Sequence, residues 1–319
     1  MRPLLALILV WLLAATASGQ PAPLAAAQRT IAEAVPDGRA GTVDRAYVVS
    51  NEWAHRLFFS HLSGLGGAIV AVGADQVYTM AAVAGADLIW AIDYDPTIAA
   101  VHRMYGALIA GAASPDALLA RFEPGAEEAS AEQIGAHYEG ARRDAAVRVY
   151  RRHRARLAVY LRRLHRYRQG RTWLNDDALY AHVRALHRGG RVIARTGDIG
   201  GSTTLSAIGA ASRQMGIPVR IVYLSNAEMF VPNRPQLVSN MRGLPTDERS
   251  VLLRTVFSPR LTSAPRDHWH YVVQPFPDYL ARLGTGNYLH ANTIVEDLIR
   301  AHRGGSGASV IDGSIPMRR

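Results

Sequence analysis

Two polar clusters in this chain repeat one another. Ser50-Asn51-Glu52 follows the β-branched run Ala46-Tyr47-Val48-Val49, and Ser225-Asn226-Ala227-Glu228 follows Val219-Arg220-Ile221-Val222-Tyr223-Leu224. A buried strand that ends in Ser, Asn and Glu places donors, acceptors and a carboxylate at the carboxyl edge of a sheet, where open α/β sheets bind ligands. Glu52 and Glu228, with Asn226 beside them, would serve proton transfer if both carboxylates face one cleft. The competing expectation is that each cluster caps a helix independently, because Ser and Asn are good caps and Glu suits a first turn.

Three further loops sit at the same place relative to a strand. Ala68–Val72 runs into Gly73-Ala74-Asp75-Gln76, Asp87–Ile92 into Asp93-Tyr94-Asp95-Pro96, and Arg191–Arg195 into Thr196-Gly197-Asp198-Ile199-Gly200-Gly201-Ser202. Asp93 lies 20 residues after Gly73, the spacing at which a doubly wound fold presents a ribose-binding carboxylate; Asp95-Pro96 equally suits a helix start. Gly200 and Gly201 let the backbone approach a ligand, and Ser202 with the free amides would hold an anion or cap the next helix, while Asp198 would read a donor. His268 and His270 would point to one side of a strand, but no acidic helix motif accompanies them and no metal site is expected.

Composition removes whole classes of chemistry. All 36 basic residues are arginine and no cysteine is present, so lysine Schiff bases, a P-loop lysine, thiolate nucleophiles, disulfides and Cys-ligated zinc are excluded. Neither a Gly-x-Ser-x-Gly elbow nor a His-Glu-x-x-His motif occurs. With 319 residues and 49% hydrophobic content, the chain can bury one large core with a helical addition.

The elements that must hold these loops alternate between strand and helix. Helices are expected over 53–62, 76–83, 97–110, 116–122, 202–215 and 234–241, with late strands over 251–257 and 270–276. Residues 1–19 read as a signal peptide, with Arg2, an apolar run from Leu4 to Leu13 and small residues after it, so the mature chain is expected to be exported. Residues 20–43 read as a linker, 44–283 as one domain with a helical insertion over about 123–188, and 284–319 as a tail. Twelve arginines lie between Arg142 and Arg171. They fill one side of helical segments and would dock on an anionic envelope partner or stay solvated; the interleaved Tyr138, Tyr150, Tyr160 and Tyr167 suit base stacking or core packing equally, and nucleic acid is not the expected partner.

The succession Tyr47–Glu52, Val72–Gln76, Ile92-Asp93, Thr196–Gly201 and Leu224–Glu228 resembles an uncharacterised bacterial family that is similar in fold to class I S-adenosylmethionine-dependent methyltransferases. The resemblance covers roughly Tyr47 to Phe276. It implies an α/β, doubly wound, mostly parallel Rossmann-like sheet and S-adenosylmethionine as cofactor. Gly73 and Asp75 would lie under the methionine part, Asp93 would bind the ribose hydroxyls and Asp198 the adenine edge, with Gly200 and Ser202 beside it. Asn226 would face the methyl group, and Glu52 and Glu228 would flank the acceptor. The alternative is a repurposed module that binds another small-molecule or nucleoside ligand, or docks through its basic helices.

Overall fold

The computed structural model describes residues 20–42, 46–231, 234–285, 291–301 and 307–315; the expected signal peptide lies outside them. The chain is a mixed α/β fold on one seven-stranded sheet. Its strands are β1 (Ala68–Ala71), β2 (Leu88–Asp93), β3 (Val192–Thr196), β4 (Val219–Ser225), β5 (Val251–Val256), β6 (His270–Pro275) and β7 (Ala308–Val310). They lie in the order β3-β2-β1-β4-β5-β6-β7. The first five are parallel, β6 runs antiparallel to β5, and β7 follows β6 in parallel. The order of connection reverses between β1 and β4.

The continuous apolar runs have their reason in burial on both faces of the sheet. Ile69, Ala71, Ile89 and Ala91 face one core, with helices α3 (Gln76–Ala84), α4 (Pro96–Gly111), α7 (Gly140–His165) and α8 (Asp177–Arg188). Ala68, Val70, Leu88 and Trp90 face the other, with α1 (Ala26–Ala34), α9 (Thr204–Gln214), α10 (Arg234–Arg242) and α11 (Phe276–Gly284). Alternate strand residues thus serve separate layers. Three short or peripheral helices complete the set: α2 (Phe59–Leu62), α5 (Pro115–Ala120) and α6 (Glu127–His137), while α12 (Ala291–Ala301) precedes β7.

Four expectations are corrected. Tyr47–Val49 is not a strand: β1 already pairs with β2 and β4, so the run finds no free edge there and only Val48 inserts fully into the core. The expected linker over 20–43 contains α1, whose Ala32, with Leu24 and Val35 on either side, is buried. The expected tail over 284–319 supplies α12 and β7, and Leu298, Ile311 and Ile315 join the core. Ser202 is exposed and makes no cap; α9 begins two residues later. The helices over 123–188 pack onto α4 and α3 in the same layer, with Leu157, Leu161, Trp173 and Val183 fully buried.

Arg195 is the clamp that holds the amino-terminal segment down. Its guanidinium donates to the carbonyls of Ala32, Glu33 and Val35, and burial, helped by the nearby charge of Arg142, pushes its pKa down to about 10 against the acids Asp37 and Glu33. Arg195→Gln is expected to cost about 2–3 kcal/mol, the typical worth of buried hydrogen bonds to a charged group, and to release α1 first. Limited proteolysis should then cut within residues 20–42 before any other part of the chain; cleavage no faster than in the parent would refute the assignment.

Candidate functional site

The carboxyl ends of β1 and β4, where the order reverses, meet at a polar cavity. Its floor is Glu52, which lies in the segment running into the 3-10 turn His55–Phe58. The carboxylate is fully buried and accepts hydrogen bonds from the Tyr223 and Ser225 hydroxyls, from Thr255 Oγ1 at 2.7 Å, and pairs with His55 Nε2 at 3.2 Å. Burial pushes its pKa up. The His55 hydrogen bond and charge, with the hydroxyls of Ser225 and Tyr223, outweigh that and hold it below the usual carboxylate range. Ser225 reaches Glu52 from a left-handed backbone, φ 50°, beside an irregularity in the β4–β5 pairing. A non-glycine residue held there marks a site whose surroundings over-determine it.

Across the cavity stands Asp75, in the loop after β1. Its Oδ2 accepts from Trp173 Nε1 at 3.0 Å and from Tyr160 Oη at 3.3 Å. Oδ1 is buried with no partner, as is Gln76 Oε1. Burial is the main reason that the Asp75 pKa is raised to about 6, with the Trp173 and Tyr160 hydrogen bonds opposing it. The space between holds about 20 Å³, room for about one water, and Trp53, His55, Tyr160 and Tyr167 wall it in. Tyr167 donates to the Trp53 carbonyl, and the Trp53 ring lies within 6.0 Å of both tyrosine rings.

Next to this cavity, at the ends of β1 and β2, Gly73 and Asp93 are joined. Gly73 has φ 88°, and its N–H donates to Asp93 Oδ2 at 3.1 Å; Asp93 Oδ1 accepts the Asp95 N–H at 2.9 Å. Burial raises the Asp93 pKa to about 6, opposed by these backbone hydrogen bonds. His102 supports the same loop by pairing with the Gly73 carbonyl at 2.9 Å and with Tyr78 Oη at 2.7 Å. Asp95 caps α4 through the Thr97 N–H, as the Asp-Pro pair suggested.

The loop after β3 also comes to this edge, since the Gly197 N–H donates to the Asp93 carbonyl at 2.8 Å. Asp198 spends Oδ1 on the Gly200 N–H, and Asn240 holds the carbonyls of Ile199 and Gly201. A stretch of the amino-terminal segment crosses here: the Gly38 N–H donates to the Thr196 carbonyl at 2.8 Å and the Gly41 N–H to the Tyr94 carbonyl at 3.0 Å, while Asp37 accepts the Thr196 N–H. Both glycines are needed for close approach, because an added Cβ would stand 2.4 Å from Thr204 Oγ1 or 2.2 Å from the Tyr94 ring. Residues 35–42 and 46–52 therefore lie as strap segments along the carboxyl edge, the first against β3 and β2 and the second against β4 and β5.

Glu228 does not join Glu52. It lies buried within the 3-10 turn Ala227–Phe230, paired with Arg254 at 3.0 Å and accepting from Tyr279 Oη at 3.0 Å. Arg254 and Thr255 are neighbours on β5, so Glu228 and Glu52, held one by each, lie on opposite faces of the sheet. The expected carboxylate pair is thereby corrected. Asn226 is half-buried at the start of that turn, and its side chain caps nothing. Asp75, expected under a cofactor, turns instead into the cavity against Trp173. His270 is buried, with its ring nitrogens on Thr262 and Ser309, whereas His268 is exposed.

His55, Tyr160, Tyr167 and Thr255 were not anticipated as site residues. The sign that pointed to one of them was Arg254-Thr255, two polar residues inside an otherwise apolar strand. No curated protein matches this chain. Residues 47–312 match the family described as Domain of unknown function (DUF7790), and the chain belongs to that family.

Proposed function

We propose that the carboxyl edge over β1 and β2 binds S-adenosylmethionine and that the chain is a methyltransferase whose acceptor enters beside the Glu52–Asp75 cavity. The observation that carries this reading is the Gly73–Asp93 tie. A glycine with positive φ after the first strand and an acid at the end of the second, 20 residues on, stand together beside the point where strand order reverses. The order β3-β2-β1-β4-β5 supports a Rossmann-like sheet of the methyltransferase type.

The residues at β1 and β2 fit such a cofactor. Only the flexible Gln76 amide covers Gly73, its Nε2 standing 2.3 Å from where a Cβ would be, and the Asp93 carboxylate, held by backbone hydrogen bonds from Gly73, Tyr94 and Asp95, has lone pairs left for ribose hydroxyls. When bound, S-adenosylmethionine supplies a methyl group activated on a sulfonium. Glu52, ionised and immobilised by four side chains, orients an acceptor's donor group, and Asp75, with its raised pKa and open oxygen, can take up the proton that the acceptor loses. Asn226 stands on the β4 side of the same edge.

Calorimetric titration of the chain with S-adenosylmethionine and S-adenosylhomocysteine tests the proposal. Micromolar binding is expected, weakened at least tenfold in Asp93→Ala and less in Asp93→Asn, which keeps one acceptor oxygen. Absence of heat with both ligands, or full binding by the alanine variant, would refute the cofactor assignment.

A second reading has its own observation. The strap residues Asp37, Gly38 and Gly41 engage Thr196 and Tyr94, over the ends of β3 and β2 where an adenine would lie. This favours a repurposed module that takes a smaller polar ligand in the cavity. Under it, a chain shortened to begin at residue 46 still binds no nucleoside, whereas under the methyltransferase reading the shortened chain binds the nucleoside at least as tightly as the parent.

A further inference from the structure

Seven of the twelve arginines between Arg142 and Arg171 fall into two sets. Along the flank facing α5 and α6, Arg151 pairs with Glu128 at 2.9 Å, Arg154 with Glu127 at 3.2 Å and Arg162 with Glu123 at 2.6 Å. On the outward stripe of α7 and the residue just past its end, spaced four, four, three and seven residues apart, lie Arg148, Arg152, Arg156, Val159 and Arg166. None of these four arginines forms an ion pair among the described residues, and Val159, 65% exposed, sits in their midst. The stripe is about 27 Å long at 1.5 Å per residue.

We infer that this stripe of α7 docks the protein on an anionic lipid bilayer. A straight row of unpaired guanidinium groups around one apolar side chain complements a flat negative surface. Arginine supplies planar, permanently charged donors for phosphate oxygens. Single-stranded nucleic acid would call for rings to stack on, and the structure has turned them away: Tyr150 and Tyr160 are buried, with their hydroxyls on the Arg121 carbonyl and on Asp75, while Tyr138 and Tyr167 are half-buried. The stripe also leads to the site, since Arg163, one turn past Val159, stacks its guanidinium 3.9 Å from the centroid of the Trp53 ring in the cavity wall. The inference stands whether or not the proposed methyl transfer does.

The test is sedimentation of the full chain with vesicles of phosphatidylcholine alone or with 30% phosphatidylglycerol (a roughly physiological anionic fraction), in low and high salt. Binding to the anionic vesicles only, reversed by salt, is expected. Combined replacement Arg148→Gln, Arg152→Gln and Arg156→Gln should weaken it about a hundredfold, and Val159→Asp alone should weaken it severalfold, with unchanged circular dichroism in both. Equal sedimentation with both vesicle types, no sedimentation with either, or tighter binding to a single-stranded oligonucleotide than to anionic vesicles would each overturn the inference.

Discussion

Replacing Glu52 by alanine is expected to lower unfolding stability by about 3–5 kcal/mol, the cost of breaking a buried, hydrogen-bonded charge cluster by removing one member. The loss does not come from one contact. Tyr223, Ser225, Thr255 and His55 all converge on the two carboxylate oxygens, so the variant leaves several buried donors without an acceptor, each costing about 1–3 kcal/mol before relaxation. Glu52→Gln should fall between, because its amide meets donors with a donor. The acid limb has a definite sign. The folded pKa of Glu52 is depressed, so its contribution is complete above the unfolded value near 4.5 and is lost as pH falls through the folded one. Urea midpoints at neutral pH read the first effect, and a shift of less than about 1 kcal/mol in Glu52→Ala would mean that the cluster is not held together by that carboxylate.

Asp75→Asn is expected to act in the opposite direction. The folded pKa, about 6, is above the unfolded 3.8, so Asp75 stabilises the fold fully below pH 3.8, and that contribution is lost as pH rises to about 6. At pH 7 the ionised group therefore costs about 3 kcal/mol, at 1.36 kcal/mol per pKa unit. Asparagine carries no charge and keeps one oxygen for Trp173 and Tyr160. The variant should be more stable than the parent at pH 7 by up to this amount, and its stability should vary less between pH 4 and 6. The remaining slope would come largely from Asp93, raised to about 6 in the same sense. Destabilisation at pH 7 would instead show that a donor already satisfies Asp75 Oδ1. A residue kept ionised at such a cost is the signature of a site shaped by function.

The main strands and the loops after them were legible because a strand buried on both faces reads as an unbroken apolar run. Ile221–Leu224 and Leu88–Ile92 are of this kind. The run over 46–49 looks the same, yet whether a strand finds a partner depends on which edges are free, and that is a property of the assembled sheet. α1 was hidden by composition: alanine-rich sequence flanked by Pro and Gly reads as a linker until Met215 and Arg195 are there to receive it. Of the residues expected at strand ends, Gly73, Asp75 and Asp93 do follow or close β1 and β2, whereas Glu52 follows a run that is not a strand. The separation of Glu52 from Glu228 was out of reach, because it follows from the alternation of Arg254 and Thr255 once β5 is in register. Tyr160 arrives from α7, 85 residues from Asp75 along the chain, and Tyr167 from the loop just after α7, and no local spacing announces them.

The clamped amino-terminal segment also fixes an order of events. Arg195 lies 160 residues beyond Val35, and Leu24 and Gln28 dock on Gly189 and Met215. At about 5–20 residues per second of synthesis, α1 waits roughly 8–30 s for its receptor to be made. During that interval it is too short to hold as an isolated helix. This segment is thus buried only after β3 and α9 have been made, and until then it remains an extended handle for whatever binds nascent chains.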